Sequence, residues 1–279
     1  MKGRLSIVAT PIGDPDDISK RALRCLTAAD LIAAEDTRVA RDRLRDWGIE
    51  GKKLLSYWDQ NEQSRVPELI ELLQDGKNVA LISDAGTPLI SDPGFRIVQA
   101  CVAAGLAIEV IPGPCAAVAA LAGSGLPTDR FYFGGFLPRD AGPRRRALEE
   151  LAALRATLIF YESPQRLSES LATIAELWPS RRVVAARNLT GPWEQWLHGS
   201  AQQVQAELGE ERRGEVTLLI ESSAEVQVSA DSLDAQIDQL LGQGHPLKEV
   251  RDLIASATGL PKRDIYQRIL ARSGKKTEA

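Results

Sequence analysis

The sequence predicts an α/β protein with two sheet-containing domains followed by a helical C-terminal segment. Short β-type runs alternate with amphipathic stretches along most of the chain, which is typical of sheets covered by helices. The glycine- and proline-containing stretch Gly123–Thr128 interrupts this alternation, and the polar stretch Ser222–Ala230 ends it. We therefore expect an N-terminal α/β domain over residues 1–123, a second α/β domain over 128–222 and a helical extension over 231–279.

The first domain is expected to contain five strands and five helices. Its strands are short runs of Val, Ile, Leu and Ala, and its helices carry apolar residues at helical spacing. Pro67 should lie near the first turn of its helix, and Gly76 should end that helix. The predicted strands cover residues 4–9, 31–35, 54–57, 78–83 and 107–111, and the predicted helices cover 19–29, 37–47, 64–75, 95–104 and 115–122.

The second domain repeats the alternation. Strands are expected over 131–136, 156–161, 182–186 and 216–221, and helices over 143–154 and 166–177. In the C-terminal extension the pattern predicts a helix over 246–256, a break at 257–261 and a helix over 262–271. These helices would cap the two α/β domains or contact a polyanion, and the two roles are compatible.

Charge is distributed unevenly. The formal net charge is −4, which argues against a generally basic nucleic-acid-binding protein, but residues 244–279 carry eight Lys or Arg against four Asp or Glu. This local excess of +4 leaves −8 for the rest of the chain. A polyanion is therefore expected to meet the protein locally.

Cysteine and histidine usage favours a cytoplasmic protein without a metal site. The three cysteines (Cys25, Cys101 and Cys115) are scattered, as in a reducing compartment, and no signal-peptide pattern opens the sequence. The two histidines, His198 and His245, are not close in sequence to clusters of cysteines or carboxylates with ligand spacing. The uncharged stretch Val110–Thr128 contains three glycines and three prolines, so we interpret it as strand, loop and helix, not as a membrane span.

Unusual residues follow the predicted strands directly. The stretches TPIG (10–13), AEDTR (34–38), SDAGTP (83–88), PGPCAA (112–117) and YESP (161–164) each begin at or just after a strand end. Ligands of open α/β sheets bind beyond the carboxyl ends of strands. Any one of these stretches alone would be read as an ordinary turn, but five at strand ends predict a ligand site.

Several common chemistries lack their motifs. There is no G-x-x-x-x-G-K-[ST] phosphate loop and no G-x-G-x-x-G after a strand, which disfavours a nucleoside triphosphate or a nicotinamide cofactor. No G-x-S-x-G elbow supports a serine nucleophile. Cys115 has no accompanying histidine, so a small apolar lining role is favoured over a nucleophile.

Two charged groups have open interpretations. Glu35, Asp36 and Arg38 would either charge the first turn of the following helix or form a polar wall of the substrate site. Arg144–Arg146, preceded by Arg139, would be a solvated helix face or a phosphate-binding surface, and the second is preferred because the run lies just after a strand end.

Seven motifs in order resemble the ribosomal RNA small subunit methyltransferase I family, whose members are cytidine-2′-O-methyltransferases of the tetrapyrrole methylase superfamily. The motifs are TPIG, AAEDTR, SDAGTPLISDPG, PGPCAA, GLPTDRF, GFLPR and TLIFYESPQRL. The resemblance runs from about Leu5 to Glu221. It implies two α/β domains of the tetrapyrrole methylase (class III methyltransferase) type with S-adenosyl-L-methionine in the cleft between them. It also implies a cytosolic homodimer acting on a cytidine in the decoding region of small-subunit (16S) ribosomal RNA or the 30S subunit.

The resemblance assigns roles to particular positions. The residues expected to bind the cofactor are Pro11, Gly13, Asp84, Gly86, Thr87, Pro88, Ala116, Ala117, Tyr161, Glu162 and Val216. A ribose hydroxyl is a weak nucleophile, so a general base is expected, and the candidates are Glu35, Asp36 and Glu162 without an order of preference. Those expected to contact RNA are Arg38, Asn61, Arg139, Arg144, Arg145, Arg146, Arg166, Lys262 and Arg263.

Two segments depart from the family pattern. The family's Arg-Glu-Leu-Thr-Lys reads Arg187-Asn188-Leu189-Thr190-Gly191 here, and Asp59 and Gln60 precede Asn61 where relatives tend to have a histidine. The Asn188 and Gly191 changes are the feature that favours an alternative, a non-catalytic RNA-binding paralogue that retains the cofactor pocket. A small-molecule, tetrapyrrole-type methylase is a second alternative, but it would not need the Arg144–Arg146 run or a basic C-terminus.

Overall fold

The computed structural model describes residues 2–209, 213–222, 230–258 and 261–273. The chain divides into two compact units. An α/β body comprises the residues up to Leu151 together with Ala156–Glu221, and a C-terminal unit comprises Ala152–Arg155 and the residues from Ser222 onward. Among the helices of the described ranges, none is both long enough and apolar enough to cross a membrane.

The first sheet of the body is parallel throughout. Its strands are β1 (Arg4–Val8), β2 (Leu31–Ala34), β3 (Leu54–Ser56), β4 (Val79–Ile82) and β5 (Ala107–Ile111). They are arranged in the order β3-β2-β4-β1-β5, and every neighbouring pair is parallel. All five carboxyl ends therefore lie at one edge of this sheet, which confirms that the unusual stretches after β1, β2, β4 and β5 share that edge.

Helices cover both faces of the first sheet. They are α1 (Lys20–Ala28), α2 (Thr37–Asp46), α3 (Glu62–Gln74) and α4 (Phe95–Ala103), whereas α5 (Ala116–Gly123) packs on the second sheet. One core joins α1 and α2 to the side chains of Ile32 and Ile82, and a second joins α3 and α4 to Leu81 on the other face. This alternation along a strand is the two-residue period of buried parallel strands. Helix α3 begins two residues before its predicted start, so Pro67 lies inside the helix and not in its first turn.

The second sheet is mixed. It contains β6 (Phe131–Phe136), β7 (Thr157–Glu162), β8 (Arg182–Arg187), β9 (Gln195–Ser200) and β10 (Val216–Ile220), with α6 (Ala141–Glu150), α7 (Leu167–Leu177) and α8 (Ala201–Ala206). The order is β6-β7-β10-β8-β9, with β6 parallel to β7 and the remaining pairs antiparallel. The edge strand β9 and the short helix α8 were not predicted from the sequence.

The predicted division near residue 125 falls between the two sheets, but α5 crosses it. Ala117, Ala120 and Leu121 of this helix pack against Ile159 and Leu219 of the second sheet, although the sequence placed the helix in the first domain. The two sheets thus belong to one compact body, and α5 supplies part of the core of the second.

The C-terminal unit contains three helices in the described ranges: α9 (Ala230–Gly242), α10 (Leu247–Thr258) and α11 (Lys262–Ser273). Their common core is aliphatic and includes Ile237, Val250, Ile254 and Ile269. The two predicted helices correspond to α10 and α11, and residues 259–260 of the predicted break lie outside the described residues. Most of the predicted linker over 222–230 lies outside the described residues.

Candidate active site

Three loops meet at the carboxyl edge of the first sheet. The backbone N–H of Thr10 donates to the carbonyl of Gly86 (2.8 Å), and the N–H of Gly86 donates back to Thr10 (3.1 Å). The hydroxyl of Thr87 donates to the carbonyl of Pro114 (2.8 Å). These bonds tie the loops after β1, β4 and β5 into one surface, which is the arrangement that the strand-end motifs predicted.

Gly86 needs to be a glycine at this junction. Its φ is +81°, in the left-handed region that side chains disfavour. A Cβ atom there would lie 3.3 Å from the methyl Cγ2 of Ile12, which is close for two carbon atoms. Because Gly86 lines the cavity without a side chain, a ligand can approach its backbone closely.

The loop after β8 closes the site from the second sheet. The N–H of Asp14 donates to the hydroxyl of Thr190 (2.9 Å). A Cβ atom on Gly13 would lie 2.3 Å from the carbonyl oxygen of Leu189, so only glycine allows the two loops to touch. The Gly13 loop and the loop that departs from the family pattern thus touch each other, and both line one cleft.

The cleft contains a cavity of about 1040 Å³ that is lined by residues from both sheets. Such a volume lies at the upper end of the ~300–1,000 Å³ that is usual for small-molecule sites. Eight of the residues predicted to bind the cofactor line it: Gly13, Asp84, Gly86, Thr87, Ala116, Tyr161, Glu162 and Val216. The other three, Pro11, Pro88 and Ala117, are buried outside this lining and support the loops.

Tyr161 connects the two halves of the cavity wall. Its hydroxyl accepts a hydrogen bond from the backbone N–H of Ala117 (3.3 Å), and its ring makes edge contacts with Phe133 and Phe136 at centroid distances of 4.9 Å and 5.7 Å. Burial raises the pKa of this phenol, so Tyr161 stays neutral at physiological pH. It therefore acts as a neutral wall of the cavity.

Carboxylates dominate the first-sheet wall. Burial, followed by the charge of Asp84, raises the pKa of Glu35. Burial also raises the pKa of Asp84 itself, whose Oδ1 accepts the N–H of Asp36 (3.1 Å). Glu35 lines the cavity and is only partly buried, so its carboxylate can reach a ligand.

Asp92 was missed as a site residue, although it lies within the motif SDAGTPLISDPG. It lines the cavity, and burial together with the charges of Glu35, Glu215 and Asp84 raises its pKa to about 7. It follows Leu89 and Ser91, two non-glycine residues with left-handed φ of 74° and 66°. Residues held in this way cluster at functional sites. The strain depends on the tertiary structure and could not be read from the sequence.

Arg43 was also missed as a site residue, whereas Glu215 precedes Val216 in the strand-start pair that the resemblance matched to the family. Arg43 donates to the carbonyl of Pro11 (3.3 Å), and it is partly buried beside the charges of Asp84 and Glu215. Glu215 lines the cavity, and desolvation raises its pKa against the opposing effect of Arg43. The buried residues of α2 are Ala40 and Leu44, and Arg43 lies beside this apolar face. The apolar pattern of the helix therefore gave no sign that a cation would be partly buried here.

The other two candidate bases are held in ion pairs. Asp36 caps α2 through the N–H of Arg38 (2.8 Å) and pairs with the guanidinium of Arg38 (2.7 Å), and these contacts lower its pKa to about 2. Glu162 has a fully buried side chain that accepts from the N–H of Ser163, the hydroxyl of Ser170 (2.6 Å) and the guanidinium of Arg166 (2.6 Å). Glu35 is therefore the candidate best placed to accept a proton.

The residues predicted to contact RNA have different environments. Arg144 is buried, donates to the carbonyl of Arg139 (2.9 Å) and to Thr173, and so holds the start of α6 in place. Arg145 pairs with Glu149 and Glu176 on the surface. Arg139 and Arg146 are exposed, and the residues that the structure describes offer neither of them an ion-pair partner.

The remaining predicted RNA contacts are largely committed to the fold. The amide of Asn61 accepts from the N–H of Trp58 (2.9 Å) and donates to the carbonyl of Ser56 (3.0 Å). Arg166 is shared between Glu162 and the carbonyl of Leu137. Arg38 keeps an exposed side chain despite its pairing with Asp36. In the C-terminal unit, Lys262 pairs with Asp252 (3.1 Å) and Arg263 is exposed.

The departure at Asn188 has a local structural role. Asn188 has a left-handed φ of 50°, which asparagine tolerates better than most residues. Its side chain accepts from the N–H of Glu215 (3.3 Å) and donates to the carbonyl of Trp193 (3.4 Å). A glutamate could not donate the second bond.

Within the described ranges, no group of three or more His, Cys, Asp or Glu residues is arranged to hold a metal ion.

Comparison with known proteins agrees with this architecture. The profile of the family Tetrapyrrole (Corrin/Porphyrin) Methylases matches residues 4–205. Among solved structures, diphthine synthase superposes with a TM-score of 0.63 at 15% identity, covering 78% of this chain and 90% of that one. Uroporphyrin-III-C-methyltransferase from Thermus thermophilus gives 0.56 at 22% identity, covering 83% and 96%. These likenesses confirm the predicted fold class, an α/β fold with two sheets.

Full-length relatives are much more similar in sequence. Ribosomal RNA small subunit methyltransferase I of Escherichia coli O157:H7 is 45% identical over 98% of this chain and 96% of its own length. The protein of the same name from Pseudomonas aeruginosa is 43% identical over 98% and 99%. The resemblance inferred from the seven motifs is thereby confirmed: the chain belongs to the ribosomal RNA small subunit methyltransferase I family within the tetrapyrrole methylases.

Proposed function

We propose that the protein is an S-adenosyl-L-methionine-dependent enzyme that methylates the ribose 2′-oxygen of a cytidine in the decoding region of small-subunit (16S) ribosomal RNA. The observation that carries the proposal is the acidic cavity between the two sheets, whose walls are built from the motifs that this chain shares with its family. The relatives' printed name supplies the class of substrate.

The residues that line the cavity fit S-adenosyl-L-methionine in charge and polarity. This cofactor carries positive charge on its sulfonium and amino groups, and Glu35, Asp84, Asp92 and Glu215 supply negative charge around the cavity. Ile12 and Ala116 supply apolar surface, and Gly86 allows close approach to backbone. When bound, the cofactor supplies an electrophilic methyl group, so the hard chemistry does not fall on the protein.

The protein's own contribution is positioning and proton removal. Holding two reactants in line can remove roughly 7–11 kcal/mol from a barrier in favourable systems. Glu35 is assigned as the group that accepts the proton of the ribose hydroxyl. Its raised pKa makes it a stronger base than an ordinary carboxylate, whereas the low pKa of Asp36 makes that residue a weak one. Glu162 orients Arg166 and the end of β7.

RNA contacts are assigned to exposed arginines of the body. Arg38, Arg139, Arg145 and Arg146 can meet phosphates without breaking a buried contact. RNA is recognised mainly through shape, unpaired bases and phosphate contacts, so a few exposed cations on the body can help to orient the target. In the C-terminal unit, Lys262 and Arg263 would add positive charge.

We further propose a cytoplasmic homodimer that works on the 30S subunit or its RNA. Four exposed apolar side chains on the first domain support self-association: Phe95, Val102, Val110 and Val118. Exposed apolar surface of this kind commonly marks a protein interface.

The direct test is transfer of labelled methyl from S-adenosyl-L-methionine to small ribosomal subunits from a strain that lacks the enzyme, followed by mapping of ribose methylation. One ribose-methylated cytidine in the decoding region is expected. Label on a base, on large-subunit RNA or on a tetrapyrrole would contradict the assigned substrate. Uptake of the cofactor without any transfer would favour a non-catalytic paralogue.

A further inference from the structure

Trp193 is the most exposed large apolar side chain in the described part of the chain. Its exposed fraction is 79%, and it lines the cavity on the loop between β8 and β9. An indole ring in water loses the free energy that burial would give it, so a ring displayed at a ligand cavity points to a partner that covers it. Phe136 is also exposed and also lines the cavity, but it lies on β6, at the opposite edge of the second sheet from β9.

The loop that carries Trp193 is closed by its own hydrogen bonds. The side chain of Asn188 donates to the carbonyl of Trp193, and the N–H of Gly191 donates to the carbonyl of Asn188 (2.9 Å). The N–H of Thr190 donates to the carboxylate of Glu194 (2.6 Å), whose other oxygen accepts from Trp196 (2.9 Å). The exposed ring thus stands on a well-bonded loop that involves the departure at Asn188.

Charge selects which part of an RNA can enter the cavity. Glu35, Asp84, Asp92 and Glu215 line it, and burial or mutual repulsion raises the pKa of each. A phosphate placed among them would be repelled, because like charges at short distance interact strongly in a partly desolvated site. Beside these four carboxylates, the cavity can accept the uncharged ribose and base of a nucleotide better than its phosphate, although Arg187 and Arg213 line other parts of the wall.

We propose that Trp193 is the surface on which the base of the methylated nucleotide stacks once that nucleotide leaves its neighbours in the RNA. The inference rests on the proposed function and adds to it a residue that positions the substrate. Enzymes that modify a nucleotide commonly extrude it into a pocket and stack its base on an aromatic ring. Stacking on tryptophan requires no charge and tolerates the acidic surroundings.

The cofactor is the other group that Trp193 could cover. Small-molecule sites bury about 70–90% of their ligand. Residues suited to that burial are the less exposed ones at the junction of the loops, such as Gly86 and Ala116, whereas Trp193 lies at the solvent-exposed rim. A cavity of about 1040 Å³ also leaves space beside one cofactor for a nucleoside.

The test compares Trp193→Ala and Trp193→Phe with Phe131→Ala. Phe131 is exposed and begins β6, at the opposite end of that strand from Phe136 and outside the cavity lining. For each protein the measurements are the dissociation constant of S-adenosyl-L-methionine by calorimetry, the dissociation constant of small subunits lacking the modification, and kcat and KM for methyl transfer. Since the Trp193 ring is mostly exposed, its removal should leave folding intact.

Trp193→Ala is expected to lower kcat/KM and weaken subunit binding by roughly 5- to 150-fold, the effect of losing one stacked base. Trp193→Phe should retain most of the wild-type value, and Phe131→Ala all of it, while cofactor binding stays unchanged in all three. If Trp193→Ala bound subunits and transferred methyl as well as the wild-type protein does, the stacking proposal would be overturned and the proposed function would stand. Weakened cofactor binding in that variant would overturn it in favour of a cofactor contact. A wild-type protein that transfers no methyl to RNA would overturn the proposed function, and the stacking with it.

Discussion

Glu35 and Glu162 are the same residue type at equivalent places, each at the carboxyl end of a strand, but they lie in opposite environments. Glu35 lies on the cavity wall beside other carboxylates, which raises its pKa. Glu162 has a fully buried side chain that is satisfied by Arg166, Ser170 and the N–H of Ser163. The comparison teaches that the neighbours of a carboxylate, and not its position after a strand, decide whether it can take part in chemistry.

The same contrast separates two regions: the strand ends after β2 and β4, and the strand end after β7. After β2 and β4 the carboxylates repel one another, which is unfavourable unless a cation or protons are bound. After β7 the carboxylate organises a cation of its own chain, which stabilises the fold. The first region is thus prepared for a cationic ligand, and the second supports the wall of its cavity.

The largest expected effect comes from Glu35→Gln. Loss of the proposed general base should lower kcat by about 10²–10⁴-fold, while the dissociation constant of S-adenosyl-L-methionine stays close to that of wild type. The matched control is Asp36→Asn, which keeps a side chain able to cap α2 and should change kcat little. Methyl transfer to small subunits measures both. Equal turnover of the two variants would break the contrast between them.

Glu162→Ala should reduce stability instead. Breaking a fully buried pair costs ~3–5 kcal/mol. Arg166 remains partly exposed, so we expect a loss on the order of 2 kcal/mol in the free energy of unfolding. The control is Glu149→Ala, which removes a surface pair with Arg145 and should cost less than about 1 kcal/mol. Urea denaturation measures both variants, and a Glu162→Ala protein as stable as its control would show that this pair is not a structural support.

Asp92→Asn tests the repulsion among the carboxylates of the first region through the pH dependence of stability. The pKa of Asp92 is about 7 in the folded protein, above the ~3.9 of an unfolded chain. Its contribution to stability is therefore fully present below pH ~4 and is lost as the pH rises through 7. The variant, which cannot ionise, should be similar to wild type at pH 4 and more stable at pH 8 by roughly 1–2 kcal/mol. This is less than the ~4 kcal/mol that corresponds to the full difference in pKa, because solvent screens the half-buried carboxylate.

The control for this pH dependence is Asp17→Asn, at an exposed site outside the cavity. It should not show a stabilisation that grows with pH. Urea denaturation of both variants at the two pH values gives the comparison. A stabilisation by Asp92→Asn that is equal at pH 4 and pH 8 would contradict the repulsive cluster.

The smallest effects are expected on the arginine surface. Replacing Arg139 and Arg146 by alanine should weaken RNA binding and reduce its dependence on salt, by about 0.7 in the logarithmic slope for each phosphate that is no longer neutralised, with stability unchanged. Arg144→Ala should mainly destabilise the fold, because that guanidinium is buried. Binding titrations at several salt concentrations check this, and an unchanged slope in the double variant would exclude a role for these two arginines.

The sequence predicted what depends on local pattern. The buried parallel strands read as continuous apolar runs, and the loops after them stood out by glycine, proline and carboxylates. The edge strand β9 was missed because QWLHGS mixes polar and apolar residues, as a strand with one free edge can. The role of α5 was misassigned because a helix of small residues does not reveal which sheet it packs against.

The chemistry of the site depended more on tertiary contacts. In the run Arg144–Arg146, only Arg144 is buried, and the buried Leu148 four residues later on the same helical face was the signal that could have shown this. The pKa values of Glu35 and Asp92 arise from carboxylates far apart in sequence, which no local pattern reveals. Trp193 carried no signal beyond its place in the loop that departs from the family.

The measurement that tests the central claim most directly is a calorimetric titration of S-adenosyl-L-methionine into wild-type protein, Ala116→Phe and Ala206→Phe. Ala116 lines the cavity, and Ala206 is an exposed residue of α8. We predict binding by wild type and by Ala206→Phe, and its loss in Ala116→Phe, where the added ring would project into the cavity at the place proposed for the cofactor. No heat of binding with folded wild-type protein, or equal binding by all three, would contradict the placement of the cofactor between the two sheets.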